Sequence, residues 1–181
     1  MPHKVIAVLA GVVCHGAFFG AVGVMFVVLY GGMDPGMLAF GGFWAVLFDL
    51  FLILQFPVLH SLCLRPSGRR FLTRIFPGDL GRHLITTTFV TFASLQLLAL
   101  FGLWSHLGVR EWSPSGSLLA VWRGVYVMSW VLLGVAMVNA GLGIQMGYKG
   151  WLAVVRDKKP YYGPFPQGGL YKVCRHPVYF A

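Results

Sequence analysis

Four long apolar runs divide the chain, extending from about Val5 to Tyr30, Met37 to Leu59, Leu84 to Leu107 and Leu118 to Gln145. A helix crossing a bilayer needs about 20 largely apolar residues, so each run predicts one span. The segment GGMDPG between the first two runs is short and built of turn residues, which predicts a helical hairpin. After the fourth run, YKGWLAVVRDKKP interleaves Trp151, Leu152 and Val155 with cations, the pattern of a short helix lying at the membrane surface. Prolines at 160, 164 and 166 then interrupt regular structure. The expected fold is an all-α polytopic membrane bundle: four transmembrane helices over residues 1–147 and a cytosolic interfacial segment over 148–181.

Composition agrees. Hydrophobic residues make up 57% and charged residues 10%, against about 25% charged in soluble domains. Mean hydropathy is +0.75. Such a chain cannot cover a globule with water-facing groups. The net charge of +9 lies between and after the apolar runs, which points to an anionic leaflet and excludes nucleic acid as partner.

The basic residues also orient the spans. Arg65, Arg69, Arg70, Arg74 and Arg82 follow the second run, and Lys149, Arg156, Lys158, Lys159, Lys172 and Arg175 follow the fourth. The opposite side carries only Arg110, beside Glu111, and Asp34. The positive-inside rule therefore places both termini and the arginine-rich loop in the cytosol.

Polar residues within the runs are few. Asp49 and His60 share a helix face but stand about 16 Å apart along the axis, too far to form a dyad. Asp49 suits a structural pair inside the bundle, with Arg123 a candidate partner, or a substrate or proton role. Pro57 is positioned to kink the second helix. His15 reads as a hydrogen-bonded packing residue. Gly16 and Gly20, one turn apart, either admit a second helix or reflect the glycine content of membrane helices. Cys14, Cys63 and Cys174 are odd in number and lack CxxC spacing, so neither a disulfide framework nor a zinc site is expected. The histidines have no metal-ligand spacing. GLGIQMG follows a span rather than a strand, which excludes a dinucleotide loop.

The closing stretch, QGGLYKVCRHPVYFA, brings Arg175 and His176 together before Pro177, among Tyr161, Tyr162, Phe165, Tyr171, Tyr179 and Phe180. Arginine holds carboxylates and phosphates with two parallel bonds, and aromatic faces attract cations. On residue chemistry alone, this suits either a ligand bearing a carboxylate, a sulfonium and a base, or a simple interfacial anchor.

GLYKVCRHPVYFA resembles the G-x-Y-x-x-x-R-H-P-x-Y-x-G/A signature of the isoprenylcysteine carboxyl methyltransferase superfamily, which includes phospholipid N-methyltransferases and the bacterial NnrU and methanethiol S-methyltransferase branches. LHSLCLRPSGRRFLTRIFP is similar to the H-S-x-x-x-R-P…T-R-x-x-P loop of those bacterial branches. The resemblance extends over roughly Leu52 to Ala181. It implies an integral-membrane methyltransferase that uses S-adenosylmethionine. Arg175 and His176 would be the catalytic and cofactor-contacting pair, Pro177 and Tyr179 would shape the cofactor pocket, and Tyr171 would brace the turn. His60, Arg65 and Arg74 would face the acceptor. In order of preference the acceptor would be a small thiol, a prenylated or other lipidic carboxylate, or a phospholipid amine.

Superfamily members continue past this signature with another apolar hairpin and a Glu-Glu region. The sequence given reaches only Ala181, so the resemblance implies a C-terminally truncated chain, one completed by a partner chain or homo-oligomer, or an abandoned pocket. Two further readings stand beside methyl transfer: a nicotinamide-dependent membrane reductase of related fold, and a non-catalytic membrane subunit.

Overall fold

A computed structural model describes residues 2–33, 41–105, 114–164, 166–175 and 177–180. Four of its helices are long and apolar enough to cross a membrane: α1 (Pro2–Tyr30), α2 (Gly42–Leu64), α4 (Gly78–Gly102) and α5 (Gly116–Ala140). Four shorter helices complete the chain: α3 (Pro66–Arg74), α6 (Leu142–Gln145), α7 (Tyr148–Val155) and α8 (Pro177–Phe180). The all-α membrane bundle expected from the hydropathy pattern is the observed fold. Val8, Val12, Phe51 and Met128 are among many large apolar side chains left exposed, as lipid-facing residues should be.

The boundaries differ from expectation where capping or proline chemistry intervenes. Pro57 sits inside α2, and the helix continues to Leu64. The region expected as an arginine-rich loop is largely helical: Arg65 adopts an extended backbone, Pro66 opens α3, and only a short turn separates Arg74 from α4. The fourth span stops at Ala140 rather than Gln145, because Gly141 (φ +89°) leaves helical geometry. That conformation favours glycine, and it ends the ladder of helical bonds. Residues 34–40, at the start of the expected second span, lie outside the described residues.

The chain forms two compact units. The first takes in residues up to 111 together with 146–161, and the second takes in 112–145 and 162–181.

In the first unit α1 runs along α4 and α7 packs on both, while α3 rests on α2 and α4. Its core gathers Ala7, Leu80 and Leu84, with Phe76, Trp151, Val154 and Val155 packed around them. Lipid supplies no hydrophobic drive for helices to associate, so close approach over small residues must serve instead. Gly11 lies under the Trp151 indole, where an added Cβ would stand 2.7 Å from Cδ2. Gly150 lies against the His83 carbonyl and Thr87 Oγ1, at 2.7 Å from each on the same measure. At Gly16 and Gly20 no described atom lies within 4 Å of an added Cβ. The close approach on α1 among the described residues is made at Gly11.

α7 is fastened to α1 by its tryptophan. The Trp151 Nε1–H donates to His15 Nε2 at 3.2 Å, and the rings meet edge to face. His15 is thus the hydrogen-bonded packing residue expected. Just before α7, Gly147 (φ +72°) turns the chain so that its carbonyl accepts from Thr87 Oγ1 at 2.7 Å. In the second unit, α6, the segment after Gly168 and α8 all pack on α5.

Candidate cofactor and substrate site

The signature segment starts as a tight turn. Gly169 (φ +58°) opens a 3-10 helix, Gly169–Lys172, and the amides of Val173 and Cys174 close onto the Leu170 carbonyl. The turn is fastened to α5 by one side chain. Asn139 Oδ1 accepts the Leu170 N–H at 3.0 Å, while Asn139 Nδ2 donates to the Val135 carbonyl at 2.8 Å. A Cβ on Gly169 would collide with that amide, so the residue is held to glycine by space as well as by φ. Pro177 is buried at the start of α8. Between these fixed points Arg175 is exposed, and no described residue bonds to its guanidinium.

Tyr171 is half-buried within the 3-10 turn. His176 lies outside the described residues, and Tyr179 is described only as part of α8. The second unit therefore brings together a braced backbone, Tyr171, Pro177 and an uncommitted cation. An exposed guanidinium without a partner has the donor chemistry for the carboxylate arm of an amino-acid-like ligand.

The other predicted residues belong to the first unit. The His60 ring lies between Phe56 and Phe89, with centroids 5.3 and 5.0 Å away. Its Nδ1 is buried with no hydrogen-bond partner among the described residues. A buried polar atom left unpaired is costly, so it marks a place where a ligand or water gains a bond. Arg65 is exposed at the α2–α3 junction, and Arg74 is exposed at the end of α3. Among the described residues no hydrogen bond or ion pair joins His60, Arg65 and Arg74. Gly68 makes the fold-back from α2 to α3 possible, since an added Cβ there would collide with the Leu62 carbonyl and the Cys63 backbone.

Asp49 is buried, and Ser105 satisfies one of its oxygens: the Ser105 amide donates to Oδ1 at 3.0 Å and Ser105 Oγ at 2.6 Å. Its other oxygen, Oδ2, is buried with no hydrogen-bond partner among the described residues, so Ser105 supplies a structural partner for one oxygen only. Ser105 and Asn139, like Thr87, are polar residues that sequence reasoning passed over. Each is a single polar residue in or beside an apolar run, a signal too common in membrane helices to single them out.

Comparison with known proteins adds an independent line. The chain is 32% identical over 144 residues to the methanethiol S-methyltransferase of Pseudomonas deceptionensis, a match covering 78% of this chain and 53% of that protein. It is 31% identical over 142 residues to the methanethiol S-methyltransferase of Mycobacterium tuberculosis, covering 74% and 54%. It is 28% identical over 136 residues to methanethiol S-methyltransferase 2 of Bradyrhizobium diazoefficiens, covering 74% and 50%. The chain spans about half the length of the curated relatives it matches. No family model matches it, and no solved structure matches it.

Proposed function

From a chain that belongs to the bacterial, methanethiol S-methyltransferase-like branch of the isoprenylcysteine methyltransferase superfamily, we propose integral-membrane methyl transfer from S-adenosylmethionine to a small thiol, with methanethiol the first candidate. The relatives' names supply the thiol. The observation that carries the proposal to particular residues is the turn pinned by Asn139, after which Arg175 is exposed and bonds to no described residue.

In this reading Arg175 holds the carboxylate of the donor, and His176 contacts the same molecule. Pro177, Tyr179 and Tyr171 wall the pocket. When bound, S-adenosylmethionine supplies an activated methyl group to the thiolate. The protein's work is to align the two reactants and keep water away, because methyl transfer needs no further covalent chemistry from a side chain. His60 and Arg65 serve the acceptor, and the arginine favours the thiolate over the thiol, the weaker nucleophile. The same proposal sets both termini on the cytosolic side of the bacterial cytoplasmic membrane, where the donor is made.

Membranes carrying the protein, given methanethiol and donor labelled in the transferred methyl, should release labelled dimethyl sulfide. Losing one charge-assisted contact to the donor should lower that rate about tenfold to a hundredfold in R175A, with R175K intermediate. Release of label unchanged in R175A would remove Arg175 from the site. Absence of dimethyl sulfide, with transfer to a prenylated or phospholipid acceptor instead, would replace the thiol by a lipid.

A further inference from the structure

α3 carries two parallel stripes. Arg70 and Arg74 stand one turn apart on one side, while Phe71 and Ile75 stand one turn apart on the neighbouring side. Leu72 is buried beneath, and an added Cβ at Gly68 would collide with the α2 backbone, so the helix is held flat against its neighbours. Both stripes face outward: Phe71 is 58% exposed and Ile75 42% exposed, and Arg65, Arg69, Arg70 and Arg74 are all exposed. No acid or other acceptor among the described residues is paired with those four guanidiniums. Arg82, the nearby cation of α4, is taken by Asp79 at 3.3 Å. A helix with adjoining cationic and exposed apolar stripes, directly after a membrane span, is built for the boundary between headgroups and acyl chains.

The apolar stripe leads into a groove. A cavity of about 380 Å³ opens between α1 and α4, lined by Leu9, Ala10, Val13, Ile75, Phe76 and Phe92. Three threonines also line it, but Thr87 donates to the Gly147 carbonyl, Thr88 to Leu84 and Thr91 to Thr87. Their hydroxyls are committed, and methyl groups are what they have left to offer. Phe71 meets Phe92 edge to face at 6.4 Å, which ties the arginine helix to the groove wall. Along α1 its lining runs from Ile6 to Val13, about 10 Å at 1.5 Å per residue, room for part of one acyl chain.

We propose that α3 and the α1–α4 groove together bind one anionic phospholipid, its phosphate and acidic headgroup on Arg70 and Arg74 and one acyl chain laid along the groove. Charge selects the occupant: Arg70 and Arg74, paired with no described residue, lie on the helix that ends at Ile75, itself part of the trough's lining, and an anionic lipid satisfies both parts at once. Arg74, which sequence resemblance assigned to the methyl acceptor, is then a headgroup residue. The site does not depend on methyl transfer.

Native mass spectrometry of the whole chain, released from detergent after incubation with dioleoyl phosphatidylglycerol or dioleoyl phosphatidylcholine, tests this. One phosphatidylglycerol should be retained, about tenfold more strongly than phosphatidylcholine at equal concentration. Replacing Arg70→Gln and Arg74→Gln together should abolish that preference, and the Arg→Lys pair should keep most of it. Val13→Phe, at an exposed groove position, should weaken retention of both lipids without changing their ratio. Dihexanoyl phosphatidylglycerol, with chains too short to follow the groove, should bind far less well than the dioleoyl form. Equal retention of the two headgroups by the unaltered protein would overturn the proposal. So would a preference that survives the double glutamine variant, or short-chain lipid held as tightly as long. Exclusive uptake of an uncharged apolar ligand would assign the groove to a different occupant.

Discussion

Asn139 stands one residue from the end of a helix otherwise suited to lipid, and its amide is committed in both directions, to Val135 within α5 and to Leu170 in the signature turn. Replacing it by alanine leaves a partly buried N–H without a partner, a cost of about 1–3 kcal/mol. The expected result is faster hydrogen exchange, by about tenfold or more, at Leu170, Val173 and Cys174, with exchange along α5 unchanged. Gly169→Ala should do the same more severely, since it adds a clash to an unfavourable φ. Protection unchanged in both variants would mean that the turn holds itself. The signature around Arg175 was readable because its residues are contiguous and chemically distinctive. Asn139 was not, because its partner lies 31 residues away and nothing local announces the pairing. Ser105 was hidden for the same reason: its value to Asp49 comes from a contact 56 residues distant.

At the level of elements, hydropathy found all four spans, since length and apolarity are what a bilayer demands. It did not find how they pack. In lipid, association depends on shape and a few polar bonds, and the pair Gly16 and Gly20 resembled a packing surface as closely as Gly11 did. The docking of α7 separates them. Gly11→Leu should displace the Trp151 indole and loosen α7 from α1, whereas Gly16→Ala and Gly20→Ala should be neutral or stabilising by up to about 1 kcal/mol. Cys14 provides the readout, because its Sγ is fully buried 3.7 Å from the Met146 carbonyl, just ahead of α7. A small thiosulfonate reagent should modify Cys14 readily in the Gly11→Leu protein and slowly in the other two. Equal reactivity in all three would show that α7 does not depend on that contact. Trp151→Phe, which removes the bond to His15 and part of the ring over Gly11, should lie between them.

Across the molecule, the packing of the first unit decides which cations share one end of it, and the proposed topology can be tested on that grouping. Ala7, near the start of α1, packs with Leu80 and Leu84, near the start of α4, so these two helices run parallel. Lys4 pairs with Asp157 beyond α7, which brings the tail to the same end. Lys4, the α3 arginines, Arg82, Lys149, Arg156 and Lys158 thereby gather at one end of that unit, a clustering that no single loop of the sequence displays. A charge excess of this kind is retained on the cytosolic side. Alkaline phosphatase, which is active only outside the cytosol, should be inactive when fused after Arg74 or Lys159 and active when fused after Met33. Because the cations come from four separate segments, neutralising Arg69, Arg70 and Arg74 together should leave that pattern unchanged. The remaining cations still outnumber those of the segment between the third and fourth apolar runs, where Arg110 adjoins Glu111 in sequence. Inversion by those three changes would mean that α3 alone sets the orientation, and activity after Arg74 in the unaltered chain would put the arginine helix on the wrong side of the membrane for a donor made in the cytosol.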